Sequence, residues 1–317
     1  MAATVTDAAV SKPDHPAPQM HPARALVAMA RPSQLALIWA VYGAGVLLGL
    51  TRPGASADLW PVAVGAVLIG GAAVAAHLVN EAEDAETDRL TARTAFSGGS
   101  GALLASGLDA SVPLRLGLAL AALVAAAAWT AWVALGLPGV AVTLTIAGLV
   151  GALFYSLPPV AAMRHGWGEP LNAVLGGLLL PLTGVAVVAG SIVVADVLAF
   201  TPFMLVALAS VMSTAWPDRE ADAATGKATL QVRLRPATLR RVHTTVSVAF
   251  VVATLASAAA GAAPFALAGL LVVPALLIGT RTYTRRMSPL PNVVAMVGLA
   301  IVLVVANTLG LLTGWEG

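Results

Sequence analysis

The residues with the most chemistry to offer are Asn80, Glu81, Glu83, Asp84, Glu86 and Asp88, in the stretch NEAEDAETDRL at 80–90. They follow directly on an apolar run, LWPVAVGAVLIGGAAVAAHLV, that has no acid and no Lys or Arg. If that run is a helix and continues, Asn80, Asp84 and Asp88 stand at i, i+4 and i+8 and share a face. A helix C-terminus carries partial negative charge and disfavours each acid there by about 0.3–1 kcal/mol, so the row calls for cations. A second stretch, WPDREADAATGKATLQVRLRP at 216–236, repeats the arrangement, with Asp218 and Asp222 again four apart. Together the two stretches hold eight of the 15 acidic residues.

Facing rows of carboxylates suit hard divalent cations. Magnesium takes one or two carboxylates per ion and lets substrate phosphates complete its shell. The two rows are therefore a candidate metal site. Arg89, Arg93, Arg219 and Lys227 are available for the non-bridging oxygens of a diphosphate. There is no Cys and no His cluster, which argues against zinc or iron.

The elements that must position these residues are membrane helices. Hydrophobic residues make up 59% of the chain, charged residues only 10%, and mean hydropathy is +0.89. A soluble domain carries roughly a quarter charged residues. Nine apolar runs are long enough to span a bilayer: 33–51, 59–80, 113–135, 138–156, 169–189, 191–214, 239–260, 264–280 and 292–313. The expected fold is an all-α bundle of nine transmembrane helices over residues 26–317, its site capped by cytosolic loops. Residues 1–25 read as a mobile tail rich in Pro and His, and no run resembles a cleavable signal peptide. With nine spans and a cytosolic N-terminus, 16 of the 17 Lys and Arg residues fall inside and only Arg52 outside. That bias supports a cell-membrane protein with its acidic stretches cytosolic and its C-terminus outside. The two acidic stretches emerge four spans apart on one side, which hints at two related halves in parallel.

These motifs resemble the UbiA superfamily of intramembrane prenyltransferases. Its first aspartate-rich motif is matched by Asn80, Glu81, Asp84 and Asp88, with Glu in place of an Asp at 81. Its second is matched by Asp218 and Asp222 followed by GKATL at 226–230. Arg31-Pro32 matches the RP before the first span, and YSLPP at 155–159 matches the turn after the fourth. TARTAFSGGSGAL replaces the family's proline-containing segment after the first motif but keeps Arg93. MSTAWPD places Thr214 where relatives of the menaquinone branch have Asn.

The resemblance implies magnesium-dependent transfer of a polyprenyl group from its diphosphate to an aromatic acceptor. The GWGE sequence ending at Glu169 resembles the 1,4-dihydroxy-2-naphthoate branch, hence menaquinone synthesis. The family resemblance also implies that Asn80, Asp84, Asp88, Asp218 and Asp222 hold the metal, and Asp84, Asp218, Lys227 and Tyr155 are the expected catalytic residues. Arg31, Arg93, Arg164, Lys227 and Glu169 are expected to bind substrate. The implied partners are the polyprenyl diphosphate, the acceptor and membrane lipid, with no nucleic acid. His77 is read as a packed helix residue and Asp196 as unrelated to the site. Two other readings stand beside this one. The first is the same fold with another acceptor, such as 4-hydroxybenzoate or homogentisate, or with terpene cyclisation. The second is a cation or phosphate transporter, which would need ionisable groups near mid-membrane; the span centres here are almost free of charge.

Overall fold

The computed structural model describes residues 20–315 except 92, 95 and 97. The expected tail over residues 1–19 therefore lies outside the described residues. Described structure begins with a short helix, α1 (Pro22–Met29), whose Ala25 and Met29 are buried. It thus includes the last residues of the segment read as tail.

Among the described residues the chain is helical with no strand. After α1 come α2 (Pro32–Leu50), α3 (Leu59–Glu83), a one-turn extension α4 (Ala85–Leu90) and a short α5 (Ala102–Ser106). The long helices α6 (Ser111–Leu135) and α7 (Gly139–Ser156) follow. The next span is built from α8 (Gly168–Val174), a π-helical turn over Leu175–Leu179 and α9 (Leu180–Ala189). Then come α10 (Val194–Thr214), two short helices α11 (Arg219–Ala224) and α12 (Leu230–Arg233), and α13 (Pro236–Ala259). The last two are α14 (Val273–Thr282) and α15 (Leu290–Thr313).

Among the described residues eight helical stretches are long and apolar enough to cross a membrane, and the chain is a multi-pass membrane protein. The count of nine expected from sequence turns on the run at 264–280. There the chain forms a shorter element, Ala266–Thr282, which opens with a 3₁₀ segment of 7 residues, Ala266–Val272, before the 10 residues of α14. The 3₁₀ form rises about 2.0 Å per residue against about 1.5 Å in an α-helix, so this short element reaches about 29 Å. That is close to the roughly 30 Å of a bilayer's hydrocarbon core.

Helices of such apolar sequence gain little from burial in lipid, so close van der Waals packing holds them together. The tightest seam joins α2 to α9. A Cβ on Gly45 would lie 1.9 Å from the Pro181 carbonyl oxygen, and one on Gly184 would lie 2.2 Å from the Tyr42 carbonyl oxygen. Glycine is required at both places because backbone meets backbone. The central apolar core runs through this seam and gathers Val41, Leu68, Val124, Leu149, Phe203, Phe250 and Leu299 from six further helices as well as α2. Large apolar side chains such as Val67, Leu123, Trp129 and Leu312 stay exposed and form the surface that a bilayer would cover.

Candidate active site

Both acidic stretches lie at one end of the bundle. The first extends α3. Its helix ends at Glu83 and restarts at Ala85, yet Asp84 N donates to Asn80 O at 2.9 Å and Asp88 N to Asp84 O at 2.8 Å. The i, i+4 spacing therefore survives the break, and Asn80, Asp84 and Asp88 keep a common face. The second stretch leaves α10 through Asp218 and forms α11, with Asp222 N donating to Asp218 O at 2.9 Å. The two meet where Thr87 Oγ1 lies 3.0 Å from Thr225 Oγ1.

Lys227 sits between the rows. Gly226, at φ +74°, turns the backbone so that Lys227 N donates to Asp222 O at 2.9 Å. The Lys227 ammonium donates to Asp84 Oδ1 and lies 3.8 Å from Asp222 Oδ1, and its side chain is only 5% exposed. Asp222 Oδ2 also accepts from Thr229 Oγ1 at 3.2 Å.

The remaining carboxylates lack such support. Asp218 Oδ1 is buried with no hydrogen-bond partner. Burial and then repulsion by Asp222, Asp88 and Asp84 push the Asp218 carboxyl up to about 7. Burial and then Asp84 and Glu81 likewise push Asp88 up to about 7. Burial also raises Asp222, against the pull of Lys227. Burial is the larger cause of each shift, and at Asp88 and Asp218 the neighbouring carboxylates add to it.

Glu81 differs from the rest. It is 1% exposed and accepts from Arg31 Nη2 at 3.2 Å, from the Ser100 amide at 3.2 Å and from the Ser100 hydroxyl. Arg31 is held at φ 53° just before Pro32, and it also donates to Asn80 Oδ1 at 3.4 Å. Asn80 in turn donates to Asp84 Oδ2 at 2.9 Å. Glu81 thus anchors the loop after the first row, and Asn80 links Arg31 to Asp84.

The other expected residues are spread around this centre. Arg164 donates through Nη2 to the Glu83 carbonyl at 3.3 Å and accepts from Ala228 N at 2.9 Å, tying the loop after α7 to both acidic stretches. Glu169, buried at the start of α8, accepts from Leu230 N at 3.2 Å while its Oε2 is buried without a partner. Tyr155, near the end of α7, packs on Gly168, its Cε2 being 3.2 Å from where a Cβ would stand. Arg93 is exposed and lies against Gly98 and Gly101, in the loop that Ser100 ties to Glu81. Arg219 stacks on Trp216, 4.2 Å from the ring centroid, and pairs with exposed Glu220. His77 accepts from or donates to no acid; its Nδ1 meets Ala30 O at 2.9 Å. Asp196 lies at the opposite end, paired with Arg52. Ser100, Thr87, Thr225 and Thr229 were not singled out from sequence; small hydroxyl residues in loops give no periodic signal.

Among the described residues no three His, Asp or Glu side chains close round one point. The donors are hard oxygens, split into two rows, with an unpartnered buried oxygen on Asp218 and incomplete neutralisation at Asp88 and Asp218. The residues present therefore fit magnesium shared with a phosphate-bearing substrate.

Comparison with known proteins agrees with this geometry. Residues 36–296 match the model of the UbiA prenyltransferase family. The fold is similar to a UbiA homologue from Archaeoglobus fulgidus bound to DMAPP and Mg2+, with TM-score 0.65, 18% identity, and coverage of 89% of this chain and 98% of that one. It is also similar to an apo UbiA homologue from Aeropyrum pernix K1, with TM-score 0.65, 19% identity, and coverage of 86% and 97%. A digeranylgeranylglyceryl phosphate synthase aligns with TM-score 0.61 at 14% identity, over 93% of this chain and 100% of the other. No curated protein matches the sequence.

Proposed function

Since the chain belongs to the UbiA prenyltransferase family, we propose that it moves a polyprenyl group from an isoprenoid diphosphate to 1,4-dihydroxy-2-naphthoate, with magnesium held by Asn80, Asp84, Asp88, Asp218 and Asp222. The single observation that carries this reading is the buried Lys227 ammonium set between Asp84 of one acidic row and Asp222 of the other, with an Asp218 oxygen buried and unpartnered in the second row. The complexes of Archaeoglobus homologues with DMAPP or GPP and Mg2+ support the donor class.

Bound magnesium would supply positive charge to the diphosphate and to the charge that grows on it as it leaves. Lys227 and Arg31 stand beside the acidic rows and add fixed cations there. Lys227 is buried, so its charge acts through little water and needs no reorganisation when the allylic C–O bond ionises. The prenyl tail lies among the apolar helices, and the resulting allylic cation must stay dry until the acceptor attacks. Tyr155 offers an aromatic face at that end of α7. Glu169 holds one carboxylate oxygen on the Leu230 amide and leaves Oε2 for an acceptor hydroxyl. That free oxygen suits a hydroxyl-bearing aromatic acceptor, the class to which dihydroxynaphthoate belongs.

The proposed orientation puts the N-terminus and both acidic rows in the cytosol, at the cell membrane, because all Lys and Arg but Arg52 then lie inside. In this cysteine-free chain, Leu90→Cys should resist impermeant labelling of intact cells while Ala57→Cys reacts. The reverse pattern would overturn the orientation. The reaction is tested by incubating the purified protein with magnesium, prenyl diphosphates of several lengths and a panel of aromatic acids, with products identified by mass spectrometry. Prenylated dihydroxynaphthoate is the expected product. Another prenylated acid, or a cyclised terpene, would replace the acceptor assignment.

A further inference from the structure

Beyond Lys227 the chain has a charge imbalance that the proposed prenyl transfer does not use. No Asp or Glu occurs over residues 228–315, whereas Arg recurs. Four of these arginines, Arg240, Arg241, Arg281 and Arg285, line an open groove of about 720 Å³ between the start of α13 and the end of α14. Among the described residues none of the four is in an ion pair. Arg240 donates to Thr284 Oγ1 at 2.7 Å, while Arg241, Arg281 and Arg285 are exposed. Thr244 and Thr280 in the groove donate to the carbonyls of Arg240 and Leu276, which leaves the guanidiniums and the exposed Thr245 hydroxyl to face a ligand.

Two features make this more than scattered surface charge. Arg240 and Arg241 lie in the opening turns of α13, where the helix dipole is already positive and no acid stands in the first turn. Gathering further arginines there is unfavourable until an anion arrives. The groove also opens where the two helices expose Val248, Leu277 and Ile278 along their flanks. An anion that brings acyl chains can lay them on that flank, which a free phosphate cannot do. None of the groove's lining residues bonds to the acidic rows.

We propose that this groove binds the phosphodiester headgroup of an anionic membrane lipid, at the same end of the bundle as the active site. Arginine suits the task because its planar fork meets phosphate oxygens in pairs. Basic pockets between membrane helices take such headgroups.

The test uses the purified full chain in nanodiscs of phosphatidylcholine with a minority of phosphatidylglycerol, followed by native mass spectrometry of the released protein. The wild type should retain one phosphatidylglycerol per chain in preference to phosphatidylcholine. The triple variant Arg241→Ala, Arg281→Ala, Arg285→Ala should lose that lipid, with affinity lower by about a hundredfold. A double variant at other exposed basic positions, Arg24→Ala and Arg115→Ala, should keep it. Glycerol phosphate should fail to compete. The proposal is overturned if the wild type shows no preference for phosphatidylglycerol, or if the triple variant retains it. Equal loss in the double variant would reduce the groove to general surface charge. Full competition by glycerol phosphate would make it a free-phosphate site. Should the triple variant not fold, Arg285→Ala alone must still weaken retention while Arg115→Ala does not.

Discussion

Each end of the bundle buries a carboxylate against an arginine, and the two ends differ in what is left over. At the far end Asp196 Oδ2 accepts from Arg52 Nη1 at 3.0 Å and from the Val193 amide at 2.8 Å, and Arg52 also donates to Ser191 O at 3.1 Å. The group is closed: one acid, one cation, and the start of α10 capped. At the other end Glu81 is closed in the same way by Arg31 and Ser100. Around it, however, stand Asp84, Asp88, Asp218 and Asp222 with Lys227 between them. A structural ion pair brings its own partner. A binding site keeps unbalanced charge and pays for it in stability until the ligand comes.

The sharpest way to break this contrast is to remove one acid from each row. Asp84→Asn and Asp218→Asn are each expected to lower turnover by about a thousandfold, the upper end of what one stabilising group contributes. Folding should hold or improve slightly in Asp218→Asn, where like-charge repulsion is relieved, whereas Asp84→Asn also removes the charge partner of buried Lys227. Near-normal turnover in either variant, measured with saturating magnesium, would show that the surplus acids are not working groups.

Lys227→Ala comes next, with an expected loss of about a hundredfold in kcat and weaker donor binding. The acceptor KM should stay nearly unchanged. Arg115→Ala, an exposed change elsewhere, supplies the comparison, and equal behaviour of the two would make Lys227 a topology determinant only.

The far end should give the opposite result. Arg52→Ala leaves Asp196 buried without its cation, and breaking such a pair costs about 3 kcal/mol. Thermal stability should fall while turnover per folded molecule does not. A loss of turnover with no change in Tm would place Asp196 and Arg52 in the working machinery.

The smallest effect is on pH dependence. Asp88 and Asp218 sit at about 7 in the folded chain, above an ordinary aspartate. Their contribution is fully present below about pH 4 and is lost as pH rises through about 7, because the folded state holds the extra protons. Metal-free protein should therefore melt lower at pH 8 than at pH 5. Magnesium should narrow the gap, since it replaces the protons. A gap unchanged in Asp218→Asn would assign the effect elsewhere.

The acids and the spans were legible because they are extremes of composition: 21 residues without a charge, then Glu81, Glu83, Asp84, Glu86 and Asp88 in close succession. Spacing alone placed Asn80, Asp84 and Asp88 on one face, and the structure keeps that face through the break at Asp84. Division of labour among the acids was not legible. Nothing local marks Glu81 as the anchored one, since Arg31 and Ser100 reach it from distant parts of the chain. The same holds for Lys227 and Asp84, whose contact spans 143 positions. The π turn at Leu175–Leu179 and the 3₁₀ start of Ala266–Thr282 also escaped, because apolar runs read alike whichever helix they form.

The claim that the surplus charge awaits a metal-bridged diphosphate is tested most directly by binding. Titration of the purified wild type with a non-ionising thiolo analogue of a prenyl diphosphate, with magnesium and then with EDTA, isolates that step from chemistry. Tight binding that requires magnesium, and that weakens at least tenfold in Asp218→Asn, is the predicted result. Equal affinity in EDTA, or in Asp218→Asn, would contradict it.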